Sequence, residues 1–149
     1  MSASPTSDQM PRRLMQLGFL LFLLGLVTGF ALPMMENPRM GLSSHLEGVM
    51  NGMLLVIAGL VWPHLVLPRM GLRLTFLLLV YGTFTNWLVT LLAAVWGGGH
   101  GMMPIAAGGR VASPLQEAVI SGLLVSLSLA MVGGILLCII GLGRKGTRP

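Results

Sequence analysis

Cysteine and charge are both scarce in this 149-residue chain. Cys138 stands alone, which excludes an intrachain disulfide and any multi-cysteine metal site. Charged residues make up 9%, against about 25% in a soluble domain, so water is not the chain's main solvent. No basic surface interleaved with aromatics accompanies the net charge of +5, which argues against a nucleic-acid partner. An alternating apolar–polar period is also missing, and that excludes barrel strands. What is present is apolar mass: 54% of the residues, with mean hydropathy +0.87.

That mass falls into four stretches, about 14–35, 46–67, 72–96 and 115–142. Each exceeds the ~20 residues a helix needs to cross a hydrocarbon core of about 30 Å. In lipid every backbone polar group has to be satisfied within its own segment, which forces helix. The chain is too short for several domains, so the expectation is one all-α, integral-membrane four-helix bundle over residues 1–149 with lipid around it. Arg12, Arg13, Arg69, Arg73, Arg144, Lys145 and Arg148 fall on one side of these spans, and only Arg39 and Arg110 on the other. The positive-inside rule then places both termini in the cytoplasm of a bacterial inner membrane. The first span is longer than a signal-peptide core and is read as retained. Residues 2–9 and 146–149 read as short disordered tails. The glycine-rich segment 97–113 reads either as a lid folded over the outer surface or as a slack connector.

Chemistry concentrates at the start of the second span, in Ser44-His45-Leu46-Glu47-Gly48. Ionisable groups at the mouth of a membrane helix cost free energy unless paired, liganded or functional. At 100° per residue, His45, Gly48, Gly52 and Gly59 fall within about 60° of one another, and Asn51 lies beside this stripe. Two readings stay open. Gly48-x-x-x-Gly52 is a small-residue pattern that suits close helix packing, which spacing alone favours. The same missing side chains would also leave a flat slot beside His45 for a planar macrocycle. Ser44-x-x-Glu47 has capping-box spacing, which gives Glu47 a mostly structural role. Ser113-Pro114-Leu115-Gln116 repeats that logic at the fourth span. Glu117 is expected to face the bundle, with a solvated interfacial carboxylate as the alternative.

The third span carries Tyr81, Gly82, Thr85, Asn86 and Ala93 on one side and Trp87 on the other. Such a polar face belongs against protein or a cavity, for interhelical hydrogen bonding or for a substrate. Tyr81 lies nearer the cytoplasmic half than His45 does. Trp62 and Trp96 read as interfacial anchors. His64, 19 residues beyond His45 on one helix, is about 28 Å away and cannot share a ligand with it. His100 lies on the same side as His45. If His45 holds a metal, a single histidine leaves an axial position open for a substrate, whereas an electron-transfer haem fills both.

Several runs here are specific rather than merely hydrophobic. They are the segment from Glu36 through His45, Glu47 and Asn51 to Met53; Tyr81-Gly82-Thr83-Phe84-Thr85-Asn86-Trp87; Met102-Met103-Pro104-Ile105-Ala106; and Ser113-Pro114-Leu115-Gln116-Glu117. Together they resemble hydroxylaminobenzene mutase over most of the chain, from about Leu14 to Leu142. A more distant resemblance is to styrene oxide isomerase, carried by His45 and the following Asn51-Gly52-Met53. Residues between His45 and Asn51 depart from the isomerase pattern, which has no counterpart of Glu47.

The mutase resemblance implies redox-neutral rearrangement of an arylhydroxylamine, such as hydroxylaminobenzene, to an ortho-aminophenol. The isomerase resemblance implies a b-type haem held by His45 at a subunit boundary of a homo-oligomer, a trimer, with Asn51 near a small aromatic substrate. On that expectation His45 is the metal ligand, Gly48 and Gly52 flank the cofactor, Asn51 orients the departing hydroxyl, and Asn86 or Tyr81 adds a donor. The alternatives are an aryl epoxide isomerase and a non-catalytic haem-binding subunit of a larger membrane complex. A transporter is less attractive, since four spans show no inverted repeat or broken-helix pair.

Overall fold

The computed structural model describes residues 9–144. The tails expected at the two ends lie outside them, except Gln9, which opens the first helix. Four long helices carry the fold: α1 (Gln9–Ala31), α2 (Pro38–Val61), α3 (Arg69–Trp96) and α5 (Pro114–Gly143), with α4 (Pro104–Ala107) a single turn before the last. No strand occurs among the described residues. All four long helices are long and apolar enough to cross a membrane.

Proline and asparagine explain where the observed ends differ from the expected spans. Helix α2 starts at Pro38 rather than Leu46, because Asn37 caps it and Pro38 supplies the preset φ of the first position. The Asn37 side chain accepts from the Met40 amide. Pro33 and Pro63 lie inside expected spans, but each turns its helix into a short 3-10 turn, Leu32–Met34 and Trp62–His64. Helix α3 stops at Gly97, which takes the left-handed conformation at φ +66°. The capping box expected at Ser113 and Gln116 forms and starts α5. The one expected at Ser44 and Glu47 does not form. Both residues lie inside α2, where the backbone donors are already satisfied.

Helix α1 runs antiparallel to α2, α2 packs on α3, and α5 packs chiefly on α3. Small residues let α1 and α2 approach closely. A Cβ added at Gly48 would lie 2.5 Å from Gly25 Cα, and one at Gly52 2.7 Å from the Gly18 carbonyl. Gly59 likewise faces Met15 and the Pro11 carbonyl. The glycine stripe is therefore filled by α1, and no flat slot remains at Gly48 and Gly52 within the chain. Trp62 is a core residue rather than an interfacial anchor: it is buried and meets Phe76 edge to face at 6.4 Å. Trp96 is half-buried against a second core around Met40, Val89 and Ala93.

The segment between α3 and α5 is ordered and folded back. Asn37, with no exposed surface, donates from Nδ2 to the carbonyls of Ala106 (3.1 Å) and Ala107 (3.2 Å), while its own amide donates to Ala94. The Glu117 carboxylate accepts from the amides of Gly99, His100, Gly101 and Ala112. Glu117 thus faces the loop rather than the bundle. Both acid and amide act as clasps, which makes this segment a lid over the start of α2 and not a slack connector.

Candidate active site

Two polar constellations lie near the lid end of the helices, on different faces of α2. The first is His45. Its ring rests against α1, where a Cβ on Gly29 would stand 2.9 Å from Nδ1, and Nδ1 lies 2.8 Å from the Gly25 carbonyl. A carbonyl can only accept, so Nδ1 carries the proton and, in the neutral ring, Nε2 presents its lone pair. A backbone carbonyl that orients the far ring nitrogen in this way is the usual support of a metal-ligating histidine. The ring is half-buried, with Nε2 left for a partner from outside the α1–α2 pair. Farther along the same flank runs an apolar groove of about 310 Å³ lined by Phe19, Phe22, Met53, Val56 and Ile57. At the lid end a larger hollow of about 470 Å³ lies between α2 and the lid, lined by Leu42, Ser43, Met103 and Ile105 among others, with Arg39 at its edge.

The second constellation is Glu47, about 200° around α2 from His45 at 100° per residue. Its Oε2 accepts from Asn51 Nδ2 at 2.9 Å and from Asn86 Nδ2 at 2.6 Å, which ties α2 to α3. Asn51 is buried, and it stands one turn beyond Glu47 on the same helix. Oε1 receives no hydrogen bond from any described residue and is not buried. Around this pair Ser44 Oγ closes the α2–α3 seam by donating to the Trp87 carbonyl at 3.0 Å, and Trp87 Nε1 ties α3 to α1 by donating to Thr28 Oγ1 at 3.1 Å.

The expected residues therefore divide into groups. Asn51 and Asn86 come together, but around Glu47 and not around His45. Glu47 is the residue that capping-box spacing misassigned; its four-residue separation from Asn51 was the signal for the contact. Tyr81 belongs to neither group, because its hydroxyl pairs with Ser126 Oγ at 2.7 Å across α3 and α5 on an exposed face. His100 is exposed on the loop held by Glu117, and His64 is exposed in the turn after α2. Among the described residues no group of three or more His, Cys, Asp or Glu side chains could hold a metal ion. His45, whose Nε2 makes no hydrogen bond among the described residues, could act as a ligand to a metal or cofactor.

A family model described as styrene oxide isomerase matches residues 10–143. The chain belongs to that family. Two relatives from Ectopseudomonas oleovorans also stand at high identity. Hydroxylaminobenzene mutase HabB is 58% identical over 130 residues, which covers 87% of this chain and 79% of HabB. Hydroxylaminobenzene mutase HabA is 52% identical over 127 residues, covering 85% of this chain and 94% of HabA. No solved structure matches. Membership of the styrene oxide isomerase family and these relatives make the chain an isomerase of the mutase kind, carried on helices fit to cross a membrane several times.

Proposed function

We propose that this isomerase rearranges an arylhydroxylamine, such as hydroxylaminobenzene, to the 2-aminophenol by moving the hydroxyl from nitrogen to the ortho carbon. The relatives at 52–58% identity, both named for the mutase, favour this substrate class over an aryl epoxide. The single observation that carries the chemistry is the anchored imidazole. His45 Nδ1 is committed to the Gly25 carbonyl, which fixes the position of Nε2.

The residues present fit a b-type haem with one protein ligand. His45 Nε2 would hold the iron, and bound haem supplies a Lewis acid toward the N–OH oxygen, an effect worth several kcal/mol. The chain's own part is otherwise orientation and exclusion of water. The Gly25 carbonyl keeps the imidazole in one tautomer. The apolar walls of the α1–α2 flank keep bulk water from a ring that becomes electron-poor as the N–O bond weakens. Asn51 and Asn86 fix the Glu47 carboxylate at the α2–α3 seam.

His45 and the Glu47 cluster face different sides of α2, and both sides are partly open in the single chain. We infer that the site closes between copies in a cyclic homo-oligomer, a trimer by resemblance, with the His45 flank of one copy against the Glu47 face of the next. A head-to-tail ring joins two different faces in this way. In the cell the arginine distribution supports both termini on the cytoplasmic side of the inner membrane.

Full-length protein purified in detergent tests the proposal. A Soret band and conversion of hydroxylaminobenzene to 2-aminophenol are expected, and His45→Ala is expected to lose both. A His45→Ala protein that keeps its haem spectrum and full activity would overturn the assignment. Offering styrene oxide beside the hydroxylamine separates the epoxide reading, and an aldehyde as the main product would favour it.

A further inference from the structure

We propose that the hollow between α2 and the lid is a binding site for one-ring aromatic amines, where an arylhydroxylamine is collected before it reaches the polar residues of α2. The inference rests on the arylhydroxylamine reading above and adds an entry site to it.

Two elements build the hollow. Arg39, Leu42 and Ser43 come from the first turns of α2, and Met102, Met103 and Ile105 come from the lid. The clasps at Asn37 and Glu117 hold the lid wall in place over α2. The volume of about 470 Å³ falls in the range of small-molecule sites. Leu42, Met102 and Ile105 are all exposed, so the walls present apolar surface that no part of the described chain covers. Leu42 precedes His45 by three residues, and Ser43 precedes Glu47 by four. The α2 wall therefore lies one helical turn from both polar constellations, on their lid side.

The lining chemistry selects the ligand. An acyl chain asks only for aliphatic walls. Here two thioethers and a guanidinium surround the space, and both kinds of group favour an aromatic ring. The Arg39 guanidinium makes no hydrogen bond or ion pair among the described residues, and its Nη1 lies beside Gly108 of the lid. Ser43 Oγ gives its proton to the Arg39 carbonyl at 3.3 Å, so toward a ligand it can only accept. An aromatic amine matches all three features. Its π face suits the cation, its ring edge suits the sulfurs, and its N–H suits the hydroxyl oxygen.

Thiol labelling of the full-length protein in detergent tests the site, with aniline as the ligand because it has no N–O bond to rearrange. Ile105→Cys places a thiol on the wall of the hollow, and Val111→Cys places one on the exposed lid away from it. Wild type, with Cys138 alone, gives the background rate. Aniline is expected to slow alkylation of Ile105→Cys and to leave Val111→Cys unchanged. Adding Arg39→Gln should raise the half-protecting aniline concentration about two- to fivefold, the worth of one cation–π contact. The same substitution should raise KM for hydroxylaminobenzene by a similar factor, with unfolding by circular dichroism as in wild type. Cyclohexanol, a neutral six-membered ring without a π face, should protect less well than aniline. Equal protection at both thiols, or none at Ile105→Cys, would overturn the inference. So would an Ile105→Cys thiol that reacts no faster than the background without aniline, since lipid or a second copy then covers the wall. Cyclohexanol as effective as aniline would overturn the aromatic class, and protection unmoved by Arg39→Gln would overturn the cation contact on which that class rests. Wild type that binds aniline in the hollow but does not convert hydroxylaminobenzene would overturn the functional reading alone.

Discussion

Gly48 lies where α1 and α2 approach most closely, and a methyl group added there tests whether that contact holds His45 in place. The Cβ of Gly48→Ala would meet Gly25 Cα at 2.5 Å, Gly25 N at 2.9 Å and Trp87 Cδ1 at 2.9 Å. Carbon contacts are comfortable from about 3.5 Å, so α1 has to retreat by roughly 1 Å. Two of the three obstacles are backbone atoms with no rotamer to change. Overpacking of this kind costs about 1–3 kcal/mol. The retreat also stretches the 2.8 Å contact between His45 Nδ1 and the Gly25 carbonyl past hydrogen-bond length, a further loss of about 1 kcal/mol. Better helix propensity returns about 1 kcal/mol. The net expectation is a loss of about 1–3 kcal/mol. Gly122→Ala is the matched control, because a Cβ at that position in α5 meets nothing within 4 Å and only the propensity gain of up to about 1 kcal/mol applies. Unfolding of both variants in one detergent, followed by circular dichroism, should separate them by about 2–4 kcal/mol. Equal stability of the two variants would refute the packing argument.

The lid clasps give two further expectations. Asn37→Ala removes a cap and both side-chain donors to Ala106 and Ala107, and is expected to destabilise by about 2–4 kcal/mol; Asn37→Asp keeps the cap but sets a buried carboxylate oxygen against the same two carbonyls, so it should be no more stable than Asn37→Ala in the same unfolding assay. Glu117→Ala releases four loop amides, so hydrogen exchange at Gly99, His100, Gly101 and Ala112 should accelerate at least tenfold while the α2–α3 seam stays protected.

The spans were legible because hydropathy alone decides what a membrane helix is, and all four lie where the apolar mass lies. Their ends were less so. Pro33 and Pro63 sit inside apolar runs, and hydropathy does not register a missing backbone donor. The polar run after Asn37 belongs to α2 through a cap that only the local Asn-Pro pair announces. The glycine stripe on α2 was visible, whereas its meaning depended on α1. Gly18 and Gly25 stand seven residues apart and face Gly52 and Gly48, and that correspondence settles the stripe as packing. At the site, Asn51 is legible as a neighbour of Glu47 at four residues' distance on one helix. Asn86 reaches Glu47 from α3, and no spacing within a chain reveals such a meeting.

Glu47 shows how an acidic side chain can be carried on a long apolar helix without a salt bridge. A carboxylate with no partner in hydrocarbon costs several kcal/mol, which helix packing alone would not offset. Two amides on Oε2 meet part of that cost, and they come from helices that α1 and α5 flank on either side. Were the cluster only structural, a third donor on Oε1, or an apolar residue in place of the acid, would be the more stable solution. One oxygen is instead held by two fixed amides and the other is left open. The same reasoning applies to His45, whose ring is anchored at one nitrogen and left open at the other. Each constellation is half-satisfied within the described residues.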